Sequence, residues 1–147
     1  MSNRIVVEKF WDLFQNGDAD AAEVLFHPDV VVTYPQSGEV IRGRENLMET
    51  LRNYPTNFPT GGDDVILDTT EKISAPSSPF PFGMSAVTIV EDGELIVGQA
   101  ILTYPNGDTY HTCSIFKVRS RLIAEETTYF AKSFEAPKWR SEWVEST

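Results

Sequence analysis

The stretch Phe10–Pro35, FWDLFQNGDADAAEVLFHPDVVVTYP, decides how the chain folds. Its first part continues a helix over Arg4–Gln15. There Val6, Phe10, Leu13 and Phe14, with Val7 and Trp11, recur at the spacing of one helical face. Asn16-Gly17 then supplies a stop, since helices commonly end on a residue that tolerates left-handed backbone. Asp18 or Asp20 can cap a second short helix through Phe26, and Asp20 with Glu23 has the spacing of a capping box. His27-Pro28-Asp29 is a turn, and Val30–Tyr34, β-branched and aromatic, is a strand. Two helices thus run straight into a strand that Pro35 ends.

Working outward, 35–38 turns the chain into a short strand, Glu39–Ile41, and Arg42-Gly43 opens a third helix over Arg44–Asn53. Leu47, Met48 and Leu51 form the apolar side of that helix. Tyr54–Gly62, rich in proline and glycine, reads as loop. Val65–Ile73 reads as a strand, and the Pro/Ser-rich segment Ser74–Gly83 is suited to cover a pocket mouth. The remainder alternates strand and turn. Met84–Val90 pairs with Leu95–Tyr104 across 91–94, and Asn106-Gly107 is a strong hairpin signal before Asp108–Val118. Arg119-Ser120-Arg121 leads into the last strand, RLIAEETTYF, residues 121–130. The tail beyond Ala131 carries Phe134, Trp139 and Trp143 and is expected to pack.

Helices segregated from a strand meander mean an α+β fold: a curved antiparallel sheet with three helices closing a cone-shaped pocket. The expected organisation is a single domain over 1–147, with 131–147 as its packed C-terminal tail. With 147 residues, 41% of them hydrophobic, the chain can build a real core. Twelve basic against twenty-two acidic residues give a net charge of −10, which argues against a nucleic-acid partner. That balance only weakly favours neutral or cationic ligands. One cysteine, Cys113, excludes an internal disulfide, and no apolar run approaches membrane length. A cytoplasmic protein without membrane contact is expected. No spaced His/Asp/Glu set, glycine-rich phosphate loop or Ser-His-Asp order is present, so neither metal nor cofactor is expected.

Three pieces carry a family resemblance: residues 10–35, IRGRENLMETL at 41–51 and CSIFKVRSRLIAEETTYF at 113–130. In order and pattern they resemble the nuclear transport factor two-like superfamily, specifically its SnoaL-like branch. That resemblance implies the fold just described, and a range of functions: ketosteroid isomerases, polyketide cyclases, dehydratases and pocket proteins without a known reaction. The isomerases' tyrosine donor, aspartic-acid donor and aspartate base fall on Phe10, Ser114 and Tyr34, which differ in kind. The cyclases' acidic base on the last strand falls on Thr128. The resemblance therefore implies a fold more firmly than a reaction.

Side-chain alternation along the last strand sends Glu126 and Thr128 to the covered face, and Glu125, Thr127 and Tyr129 to the other. Glu126 is the candidate acid–base residue, because desolvation among aromatics raises a carboxyl towards values useful for proton transfer. Its alternative is a structural ion pair with Arg42, Arg44 or Arg140. Tyr34 is the candidate donor to a carbonyl or oxyanion, or an ordinary core tyrosine. Thr112, Ser114 and Thr128 share the inward parity and can offer hydroxyls to a ligand. Trp11, Phe14, Tyr54, Phe58 and Trp139 can wall an apolar cavity or simply pack the core. By the same count His111 and Cys113 face outward. His27 is a turn residue, and Arg42 and Arg44 pair with Glu39 or Glu45 unless they bind an anion.

The reading that follows is a binding protein for a small apolar molecule, of enzyme-like ancestry. The alternative is a cofactor-independent isomerase, cyclase or dehydratase acting on a small carbonyl compound through Glu126 and Tyr34. A homodimer through the outer sheet face is expected, as is common among the proteins it resembles.

Overall fold

The computed structural model describes residues 2–16, 18–53, 83–104 and 107–146. The order is α1 (Arg4–Gln15), α2 (Ala19–Ala22), a 3-10 turn (Glu23–Leu25), β1 (Phe26–Tyr34), β2 (Glu39–Arg42) and α3 (Arg44–Arg52). Then follow β3 (Gly83–Asp92), β4 (Leu95–Thr103), β5 (Thr109–Arg119), β6 (Leu122–Lys132) and a 3-10 turn, Lys138–Trp143. The expected loop at 54–62, strand at 65–73 and most of the segment at 74–83 lie outside the described residues, as do Gly17 and Asn106.

The strands form one sheet in the order β2-β1-β6-β5-β4-β3. Four pairings are antiparallel, and β1–β6 is parallel, with Val32 beside Glu126. This parallel join was not expected from the strand meander. It lets the N-terminal hairpin extend the sheet past its last strand. Register shifts interrupt three of the pairings, between Phe26 and Val31, Ser85 and Thr88, and Lys117 and Val118. Such bulges increase local twist and bend, which curls the sheet around its helices.

Local chemistry sets the turns. Asp18, rather than Asp20, caps α2 by accepting the Ala21 N–H at 3.1 Å. Asp20 instead accepts from Arg52 on α3 at 2.8 Å, so the expected capping box does not form. Two residues, Gly93 and Glu94, suffice to join β3 to β4, and Gly93 takes φ +61. The β5–β6 turn is equally tight, with Ser120 and Arg121 both at positive φ, the twist that suits a two-residue hairpin. His27 accepts the Asp29 N–H through Nδ1 at 3.0 Å; the turn expected at 27–29 is instead an irregular stretch within β1, between the paired residues Phe26 and Val31.

The helices cover the concave face. Val6, Val7, Phe10 and Trp11 of α1 and Leu47, Met48 and Leu51 of α3 join one core with Phe26, Val30, Val32, Ile96, Phe116, Val118 and Ile123 from the sheet. The N-terminus of α1 docks on the β3–β4 hairpin. Glu91 accepts the Arg4 N–H at 2.6 Å, a favourable place for a carboxylate, and Asn3 donates to the Gly93 carbonyl at 3.0 Å. Gly98 on β4 lies under α1: a Cβ there would come within 2.3 Å of the Trp11 ring, so its missing side chain lets the indole reach the sheet.

The tail departs from expectation. In this chain Phe134, Trp139 and Trp143 are 82%, 74% and 75% exposed. The 3-10 turn that carries the two tryptophans buries no residue. The last bond to the sheet is from the Ser133 N–H to the Thr109 carbonyl at 3.1 Å, and Trp139 meets the guanidinium of Arg140, 5.7 Å from the ring centroid, rather than a hydrophobic wall.

Candidate functional site

Between the helices and the concave face lies a cavity of about 110 Å³. Helix α1 contributes Phe10, Trp11 and Phe14, one to each step of its buried face. Helix α3 adds Leu47, Thr50 and Leu51, and Met84 and Leu102 close the side formed by β3 and β4. From the sheet centre come Thr112 and Ser114 of β5 and Glu126, Thr128 and Phe130 of β6. Tyr34, at the end of β1, completes the described lining.

The polar groups are concentrated on the sheet. Thr128 Oγ1 donates to Glu126 Oε1 at 2.8 Å, and the Ser114 and Thr128 hydroxyls lie 2.8 Å apart. With Glu126 ionised, Thr128 spends its proton on the carboxylate, so Ser114 donates to Thr128. Thr112 donates to the Ala100 carbonyl at 3.1 Å and is thereby committed to the sheet. Ser114 and Thr128 are buried. Among the described residues, no lysine, arginine or histidine forms an ion pair with Glu126. Burial pushes its carboxyl up to about 7, and the Thr128 hydrogen bond offsets part of that rise.

The two carboxylates of the last strand have separated as alternation requires. Glu125 faces out and meets Lys117 Nζ at 3.3 Å and Arg119 Nη2 at 3.7 Å. His111 also faces out, with Nε2 3.1 Å from Ser133 Oγ, and is absent from the cavity lining that holds Glu126. The three arginines named as possible partners of Glu126 are elsewhere: Arg44 donates to the Phe26 carbonyl at 3.3 Å, Arg42 is exposed and Arg140 lies by Trp139.

The cavity brings together Glu126, Tyr34, Trp11, Phe14, Thr112, Ser114 and Thr128. Trp139 is corrected: it stands on the exterior and takes no part in the lining. Tyr54 and Phe58 lie outside the described residues. Sequence reasoning missed Phe10, Leu47, Thr50, Leu51, Met84, Leu102 and Phe130 as liners. Phe130 was within reach, since it shares the parity of Glu126 and Thr128. The helix residues were not, because the same apolar stripe serves core and cavity alike.

A second interaction engages Phe130, one of the lining residues. The Gln36 side chain donates to the Phe130 carbonyl at 2.6 Å and accepts the Phe130 N–H. Its primary amide thus acts as one further rung of the β1–β6 ladder and holds Tyr34 and Phe130 with ring centroids 5.8 Å apart.

Comparison with known proteins agrees with this geometry. Residues 7–65 match the model of the SnoaL-like domain. An NTF-2 like protein of unknown function from Burkholderia xenovorans LB400 is 29% identical, with 99% of this chain and 94% of that chain covered and a TM-score of 0.70. Both findings support placing the chain in the nuclear transport factor two-like superfamily. The chain is also similar to a candidate ketosteroid isomerase from Kribbella flavida DSM 17836. There the identity is 18%, the coverage 99% and 89%, and the TM-score 0.76. A candidate SnoaL-like polyketide cyclase from Shewanella putrefaciens CN-32 gives 8% identity, 87% and 79% coverage, and a TM-score of 0.64. At these identities the last two report the fold alone. No curated protein matches the chain.

Proposed function

We propose that this nuclear transport factor two-like protein binds a small, largely apolar molecule in the cavity beneath α1 and α3, holding its polar end against Glu126. The observation that carries the reading is the distribution of groups around the cavity. Aromatic and aliphatic side chains form most of the wall, while one carboxyl and a short run of hydroxyls converge on the sheet side. Apolar walls with a few convergent polar groups are the usual form of a small-molecule site. The test is a thermal-shift and calorimetric screen of compact cyclic and aromatic molecules against the whole chain. Saturable binding that competes at one site and is weakened by Leu102→Trp, which fills the cavity, supports the reading. Binding indifferent to that substitution refutes it.

A second reading is favoured by the raised carboxyl of Glu126. A group that titrates to about 7 can take and return a proton near neutral pH. In this reading Glu126 is the acid–base residue of an isomerase, cyclase or dehydratase acting on a small carbonyl compound, and Tyr34 polarises the carbonyl. The positions where relatives carry other acidic groups hold Ser114, Tyr34 and Thr128, so Glu126 would act without a second carboxyl in the described cavity. A ketosteroid and polyketide-like panel assayed with wild type and Glu126→Gln separates the readings: turnover lost in the variant supports catalysis, and equal turnover removes Glu126 from it.

For the assembly we propose a homodimer through the outer sheet face. The register lines up Val40, Thr33, Thr127, Ile115, Val97 and Val90 as one uncharged row across all six strands. Such a row is suited to a second copy of the same face.

A further inference from the structure

Among its described lining residues, the cavity holds an acid without a basic side chain. Glu126 is the one carboxyl in the described lining, and the rings of Phe10, Trp11, Phe14, Tyr34 and Phe130 line the same cavity. We infer that the cavity is built for a small protonated amine, with Glu126 as its counter-ion and the aromatic rings as the wall around its cationic end. This names the ligand class for the binding reading above and rests on it.

The argument is one of charge and shape. An unpaired carboxylate in apolar surroundings is costly, and it is relieved either by taking a proton or by gaining a cation. Glu126 keeps one internal hydrogen-bond donor, Thr128, and among the described residues no cationic side chain pairs with it. Ring faces attract an ammonium through their quadrupoles, and more strongly where water is excluded. A cation is therefore favoured twice at this position, once by the carboxylate and once by the walls. The N–H of the amine donates to the free carboxylate oxygen. Its hydrocarbon part then meets Leu47, Leu51, Met84 and Leu102. A neutral carbonyl compound makes the opposite demand, since it needs Glu126 protonated so that the acid can donate. The net charge of −10 adds a general attraction for cations around the molecule.

Among the described residues, no other charged group lines the cavity from the elements packed on this site. Tyr34 on β1 is the one other titratable side chain in the described lining. Of the charges on α1, Arg4, Glu8, Lys9 and Asp12 are exposed. On α3, Arg44 is held by the Phe26 carbonyl, Arg52 pairs with Asp20, and Glu45 and Glu49 are exposed. The β5 cations Lys117 and Arg119 meet Glu125 on the opposite face of the sheet. On β1, Asp29 is exposed and His27 is engaged by the Asp29 N–H.

The test compares cyclohexylamine, benzylamine and cyclohexanone by titration calorimetry with the full chain between pH 5 and pH 8. Amine affinity is expected to rise roughly tenfold per pH unit below 7 and then level, because the amine binds the ionised acid and displaces its proton. In two buffers of different ionisation enthalpy at pH 6, amine binding releases close to one proton; at pH 8 it releases almost none. Glu126→Gln loses most of the amine affinity and the pH dependence together. Ketone binding that exceeds amine binding at pH 8 overturns the inference while leaving the binding reading intact, as does amine binding that releases no proton at pH 6. Failure of all three probes to bind wild type and variant alike overturns both. The proton count is read on wild type, so the inference stays testable even if the variant does not fold.

Discussion

Glu126 couples the stability of the fold to pH. Its carboxyl titrates at about 7 when folded, against 4.5 for an unshielded glutamate, so the folded state holds the proton more tightly than the unfolded state. Stability from this group is therefore complete below about pH 4.5 and is lost as the pH rises through 7. The loss amounts to at most about 3 kcal/mol at alkaline pH. Glu126→Gln cannot ionise and is expected to melt above wild type at pH 8.5 and level with it at pH 4, in thermal scans of the ligand-free chain. A variant no more stable than wild type at pH 8.5 would show that the carboxylate is well solvated. Thr128→Val removes the one hydrogen bond that lowers the titration of Glu126, so the carboxyl should titrate higher still when followed by carbon NMR. An unchanged or lower midpoint would contradict that cause.

Among the elements, the seating of α1 on β4 depends on an atom that is absent. Gly98 leaves room for Trp11, and an added Cβ would meet ring atoms at 2.3, 2.9 and 3.2 Å. The indole is buried and packs edge-on against Phe116 at 6.0 Å, so it cannot simply swing away. Gly98→Ala should cost about 1–3 kcal/mol in urea denaturation, the usual cost of overpacking a core. Adding Trp11→Phe, which shortens the ring, should recover part of that loss. If the two substitutions prove additive, the contact is not what limits α1. The β1–β6 join has its own check. Gln36→Ala removes two hydrogen bonds to the Phe130 backbone, both at an exposed position, and is expected to cost about 1 kcal/mol.

For the whole molecule, the exposed strip on the outer sheet makes a measurable demand. Val40, Val90 and Ile115 are exposed in the single chain, and together with Thr33, Thr127 and Val97 they leave a full row of the sheet without charge. Sedimentation at micromolar concentration should give twice the mass of the chain, and Ile115→Glu should return it to the monomer. A monomeric wild type would defeat the proposed dimer. The substitution lies on the face opposite the cavity, so ligand binding is expected to survive it wherever the fold does.

Periodicity and alternation determined a good part of this protein from the sequence alone. The helical face of α1, the strand order in the second half and the opposite placement of Glu125 and Glu126 follow from repeats of three to four and of two, which are local properties of the backbone. The pairing of β1 with β6, the amide rung of Gln36 and the room that Gly98 leaves for Trp11 each join residues more than 80 positions apart. No local pattern records such contacts. The tail shows the same limit, since Trp139 has the composition of a core residue and an exposed position. Local chemistry could say which way the Glu126 side chain points. Only the packed helices decided that it would look into a cavity, apart from every cation described in the chain, and its raised titration follows from that isolation.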